Sequence, residues 1–138
     1  MLKRLTVKSL AAATMIASAT FANADDHVSV EGADQDMSNG IVSASKVMAD
    51  ENGWLVVHRT DGTKPGVVVA HAPLRKGENT DVAAILTEPA AKGDKFMLML
   101  HSEQGGTKTG IFEYSLGAKE DGPIKVDGKL VMKIIEAQ

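Results

Sequence analysis

Asn52-Gly53-Trp54-Leu55-Val56-Val57-His58-Arg59-Thr60-Asp61-Gly62 reads as an extended strand held between two turns. Asn-Gly and Asp-Gly readily enter the left-handed backbone region that a tight turn needs. The residues between them are rich in β-branched and aromatic side chains, which suit a pleated surface. Alternation puts Trp54, Val56 and His58 on one face and Leu55, Val57 and Arg59 on the other. Arg59 implies that the Leu55 face meets solvent near its end, so His58 is expected at the edge of the buried face.

The same punctuation recurs on both sides. Ile41 to Met48 reads as a half-buried strand, and Val67 to Ala72 as a short apolar strand closed by Pro73. Thr80 to Leu86 follows, ended by Pro89. Lys95 to His101 holds Phe-Met-Leu-Met-Leu and reads as a central strand. Within it Phe96, Leu98 and Leu100 share one face, while Met97, Met99 and His101 share the other. Residues 102–110 are a polar loop expected at one sandwich end, Ile111 to Tyr114 reads as a short strand, and residues 115–120 have room for one helical turn. Ile124 to Val126 and Leu130 to Ile135 form a closing hairpin about Asp127-Gly128. The expected fold is all-β, an antiparallel Ig-like or cupredoxin-like β-sandwich of about seven strands.

The first residues read differently. Lys3, Arg4 and Lys8 precede an apolar stretch from Leu10 to Phe21, and Ala22-Asn23-Ala24 is an A-x-A cleavage signature. This is the pattern of a secretory signal peptide, residues 1–24. Its apolar run is too short to span a bilayer. Cutting after Ala24 leaves 114 residues, 25–138, enough for one domain. That mature chain carries 12 Lys and Arg against 18 Asp and Glu. An acidic chain with scattered basic residues is a poor ligand for nucleic acid. There is no cysteine, which excludes disulfides, thiolate metal sites, cysteine nucleophiles and a lipidated terminus. A soluble periplasmic or secreted monomer is the expectation.

Several short motifs fall in a telling order. Asp34-Gln35 precedes Ser38-Asn39-Gly40. Gly53 to His58 and Gly66-Val67-Val68-Val69 follow, then Gly77-Glu78-Asn79-Thr80. Leu100-His101 leads into a glycine-rich loop and Asp121-Gly122-Pro123. In this order they resemble a secreted β-sandwich domain of unknown function, common in surface proteins of halophilic archaea and present in bacteria. The resemblance covers Val28 to Ala137. It implies a β-sandwich and export but no activity. Archaeal versions often carry an acidic loop after the histidine matching His101. Here Ser102 to Lys108 holds one carboxylate, Glu103, which argues against a cation site in that loop.

Two sets of residues carry candidate metal chemistry. A mature terminus Asp25-Asp26-His27 offers an α-amine, two backbone amides and an imidazole, four nitrogens in one plane that suit Cu(II) or Ni(II). The competing reading is incidental binding on a frayed end. The second set is His58, His71 and His101 with Met97 and Met99, nitrogen and thioether donors suited to copper. Against it, methionines in apolar strands commonly fill gaps in a core.

Other motifs are decoys. Ser43 to Lys46 and Lys108-Thr109-Gly110 fit penicillin-binding signatures, but S-D-N is absent and Ser43 falls in a strand. Gly105 to Gly110 lacks the Gly-Lys pair and following helix of a phosphate loop. No catalytic set can be assigned. The expected function is an exported, non-enzymatic binding or interaction module for an unknown protein or small molecule, without a cofactor. The alternative is a periplasmic copper-binding protein using Asp25, Asp26 and His27, with Met97, Met99 and His101 on the strand face.

Overall fold

The computed structural model describes residues 27–115 and 118–138, so the signal segment, Asp25 and Asp26 lie outside the described residues. The strands are β1 (Ser29–Glu31), β2 (Ile41–Ala49), β3 (Gly53–Thr60), β4 (Pro65–Leu74), β5 (Gly77–Ile85), β6 (Lys95–Ser102), β7 (Lys125–Val126), β8 (Lys129–Leu130) and β9 (Met132–Glu136). No described helix is long and apolar enough to cross a membrane. A three-stranded sheet, β1-β2-β5, faces a four-stranded sheet, β4-β3-β6-β9. All pairings within them are antiparallel. Seven strands thus make the sandwich, as expected, and β7-β8 form a separate ribbon.

Alternation decides which side chains fill the space between the sheets. Leu55 and Val57 of β3 and Phe96, Leu98 and Leu100 of β6 meet Val42, Ala44 and Val47 of β2 in one core. Burial of this apolar surface is the main stabilising term. The Leu55 face therefore looks into the sandwich, and only Arg59 at its end approaches solvent, its guanidinium over the Phe96 ring at 5.2 Å. Arg59 also pairs with Glu88 and, at 3.0 Å, with Asp94.

Several expectations need correction. Asn52-Gly53 is not a hairpin, because β2 and β3 belong to different sheets and residues 50–52 cross between them. Gly53 is needed for another reason. A Cβ there would strike the carbonyl oxygen of His101, a backbone atom with no freedom to yield. Gly53→Ala is expected to destabilise by roughly 1–3 kcal/mol, the usual cost of overpacking. A lowered urea midpoint would register it.

Pro73 does not close β4, which runs on to Leu74. The strand lies at a sheet edge, where a missing N–H is tolerated. Ile111 to Tyr114 is irregular chain, not a strand. The short strand β1 was not anticipated. The Asp127-Gly128 turn behaves as expected, with φ of 51° and 76°, the doubly left-handed geometry of a tight hairpin.

Two segments bridge the sheets along their sides. Thr87, just past β5, donates its N–H to the Val69 carbonyl in β4 at 2.8 Å. On the opposite side Gln35 donates to the Glu136 carbonyl and accepts from Gln138. The Gln35 side-chain amide also bonds both the N–H and C=O of Ser43, at 2.8 and 2.9 Å, standing in for a peptide unit beside β2.

Candidate functional site

The outer face of the four-stranded sheet is as apolar as its inner one. Register sets Trp54 opposite His101, Val56 opposite Met99, and His58 opposite Met97. These six side chains are buried yet stand outside the main core. What covers them is the segment after β6. Residues 102–110, expected as a loop at one sandwich end, and Ile111 to Tyr114, expected as a strand, instead fold back over the sheet as one lid of residues 103–115.

Polar bonds fasten this lid. Trp54 donates its indole N–H to Glu103 Oε2 at 2.5 Å, and Glu103 Oε1 accepts from the Gly110 amide at 2.9 Å. The amides of Thr107 and Lys108 and the Thr107 hydroxyl converge on the Glu113 carboxylate. These bonds hold Glu113 below the usual carboxylate range. The glycine-rich stretch is thus an anion cradle filled by the chain's own side chain.

Glu113 points out, so its neighbours Phe112 and Tyr114 point in. Phe112 stacks on His71 with centroids 4.5 Å apart and tilts against Trp54 at 5.5 Å. Tyr114 meets His101 edge-on at 4.6 Å and His58 at 6.0 Å.

Beneath this roof two histidines meet. His58 and His101 are 1 % and 0 % exposed. They reach toward each other over the Val56–Met99 pair, and their Nε2 atoms stand 3.2 Å apart. With centroids 5.3 Å apart, the rings meet edge to edge through nitrogen. His58 Nδ1 donates to the Gly66 carbonyl at 2.8 Å, and His101 Nδ1 donates to the Asp121 carbonyl at 2.7 Å. A carbonyl only accepts, so each Nδ1 carries the proton of the neutral ring.

The consequence is a pair of Nε2 lone pairs directed at one another. The arrangement lacks one positive charge, which a third proton or a metal ion would supply. Burial opposes the proton. It pushes His101 down to about 4, against the partial support of the Asp121 carbonyl and with His58 lowering it further. Burial also lowers His58, opposed by its bond to Gly66. A metal ion fits the spacing, since two imidazoles bound at about 2.0–2.1 Å in tetrahedral geometry lie about 3.3 Å apart.

Asp121 is a second buried polar group beside the pair that is left incompletely partnered. Its side chain is 0 % exposed, and its φ is +46°. Oδ2 accepts the Glu113 amide at 2.8 Å, whereas Oδ1 is buried with no partner. No Lys or Arg meets it among the described ion pairs.

The sequence-derived candidates divide accordingly. Met97, Met99 and His101 do share one buried face, and the structure joins His58 to them. His71, exposed on the edge strand, stacks against Phe112 and Trp54 instead of joining the pair, and partial desolvation there lowers its pKa. His27 is exposed, beside Met48, Asp50, Glu51 and Lys76, and is not brought to the strand face. Asp25 and Asp26 lie outside the described residues. No three of His, Cys, Asp and Glu gather at metal-binding distances among the described residues. Ser43, of the S-x-x-K decoy, lies in β2 and its hydroxyl bonds Gln35.

Sequence reasoning missed Glu103, Phe112, Tyr114 and Asp121. One signal was present. Phe112 and Tyr114 are two of only five aromatic residues, and they stand at alternate positions in otherwise polar chain. No curated protein and no solved structure matches this chain. A family model does match, over residues 28–138. That span takes in both sheets, the lid and the histidine pair, so the chain belongs to the family described as Domain of unknown function (DUF7282).

Proposed function

We propose that this domain is an exported, non-enzymatic binding module and that its ligand is a metal cation taken up by His58 and His101. One observation carries the reading: two buried Nε2 lone pairs facing each other at 3.2 Å while both Nδ1 protons are committed to carbonyls. A buried polar pair left this way is costly, and an ion converts the cost into bonds. Export rests on the signal-peptide pattern of residues 1–24. The Asp25-Asp26-His27 terminus is a separate copper ligand set, conditional on cleavage after Ala24.

The test is thermal unfolding of the exported protein with His27→Ala, which silences the terminus. Zn²⁺, Ag⁺ and anaerobic Cu⁺ are added in turn. An ion at a hundred times its Kd stabilises by about 2.7 kcal/mol. The expected result is a rise of several degrees with at least one ion, lost when His58 is replaced by glutamine. No rise with any of the three would overturn the cation reading.

A further inference from the structure

We infer that the cation is a soft monovalent one, copper(I), held by His58 and His101 with thioether donation from Met97 and Met99. This rests on the cation reading above and names the ion. Three independent observations favour it.

The first is the donor set. Zinc sites in proteins generally use at least three nitrogen, sulfur or carboxylate ligands. Here two imidazoles converge, and no third His, Asp or Glu joins them among the described residues. Copper(I) accepts low coordination, and thioethers are among the ligands that select it. In register Met97 stands directly across from His58, and Met99 takes the position on the same face between Met97 and His101. Both are 1 % exposed and neither belongs to the core between the sheets.

The second is charge. Two neutral imidazoles and a monovalent ion carry one positive charge. The lid buries one carboxylate without a basic partner, Asp121. With Asp121 as counter-charge a monovalent ion leaves the site neutral, whereas a divalent ion would leave a net positive charge in a dry site.

The third is dryness. Tyr114 and Phe112 roof the site, and both histidines are shut from water. A small divalent ion gives up a tightly held hydration shell to enter such a place. A soft, weakly hydrated ion loses less.

The experiment titrates the His27→Ala protein with Ag⁺ (a redox-inert soft monovalent probe), with anaerobic Cu⁺ against a chromogenic chelator, and with Zn²⁺. One equivalent of Ag⁺ or Cu⁺ is expected to bind, with Zn²⁺ at least a hundredfold weaker. Met97→Leu and Met99→Leu conserve volume, so folding is kept while the donor is removed. Each is expected to weaken Cu⁺ at least tenfold and leave any Zn²⁺ binding unchanged. X-ray absorption of the copper-loaded protein should record both nitrogen and sulfur scatterers. Zn²⁺ binding as tight as Cu⁺, or Cu⁺ binding indifferent to both leucine variants, would overturn the copper(I) assignment while leaving a cation site in place. Binding of none of the ions would remove both.

Discussion

Between pH 6.5 and pH 4 the metal-free protein is expected to lose about 3 kcal/mol of stability through His101 alone. Its folded-state pKa is depressed to about 4 from an ordinary value of 6.5. Below pH 6.5 the unfolded chain takes up a proton that the folded chain refuses. The unfolded state then binds more protons, and stability falls as pH falls. Each pKa unit corresponds to 1.36 kcal/mol, so the interval gives the figure above. His58 and His71 shift in the same direction and steepen the slope. The carboxylates held low by hydrogen bonds, Asp94 and Glu113 among them, titrate further down and leave the upper part of this window to the histidines. Urea midpoints at half-unit steps from pH 7 to 4.5 measure the effect. A flat profile would mean that neither ring is buried neutral. Replacing His101 by asparagine should remove most of the slope.

Phe96→Ala is expected to cost about 3–5 kcal/mol, the range for deleting a fully buried aromatic side chain. Phe96 is 0 % exposed, packs into the core near the end of the inner face and carries the Arg59 guanidinium on its ring. Arg59 keeps its partners Glu88 and Asp94 in the variant, so the loss is a loss of packing. A domain of this kind has roughly 5–15 kcal/mol in hand. The urea midpoint should drop steeply with the m-value unchanged. A loss under 1 kcal/mol would mean that the sandwich collapses around the cavity.

The seven-strand sandwich was legible because alternation in β3 and β6 is strict and turn residues punctuate it. The same alternation correctly grouped Met97, Met99 and His101. It could not show that both faces of these strands are buried. That depends on a roof supplied by residues 103–115, which are polar in composition and carry their apolar content in only Ile111, Phe112 and Tyr114. Polar chain ordinarily signals solvent, and here its polar groups bond one another while two rings turn inward. Gly53 was singled out for the wrong reason, since a close backbone approach across a strand pair leaves no mark distinguishable from a turn glycine. The His58–His101 contact joins positions 43 residues apart, and only the register of β3 against β6 brings them together. Asp121 gave no sign because a carboxylate beside Gly-Pro reads as an exposed turn.

The two segments that bridge the sheets bear on how the molecule behaves among its own copies. An open strand edge is a template on which another chain can build. Here Thr87 occupies the free side of β4 at Val69, and prolines at 65 and 73 remove donors from the same edge. Gln35 occupies the outer side of the chain at the end of β9, bonded to the Glu136 carbonyl and the Gln138 amide. A stranger's strand arriving at the four-stranded sheet finds its hydrogen-bonding positions interrupted or already taken. A chain without cysteine to lock its fold thereby gains resistance to stacking into fibres when crowded.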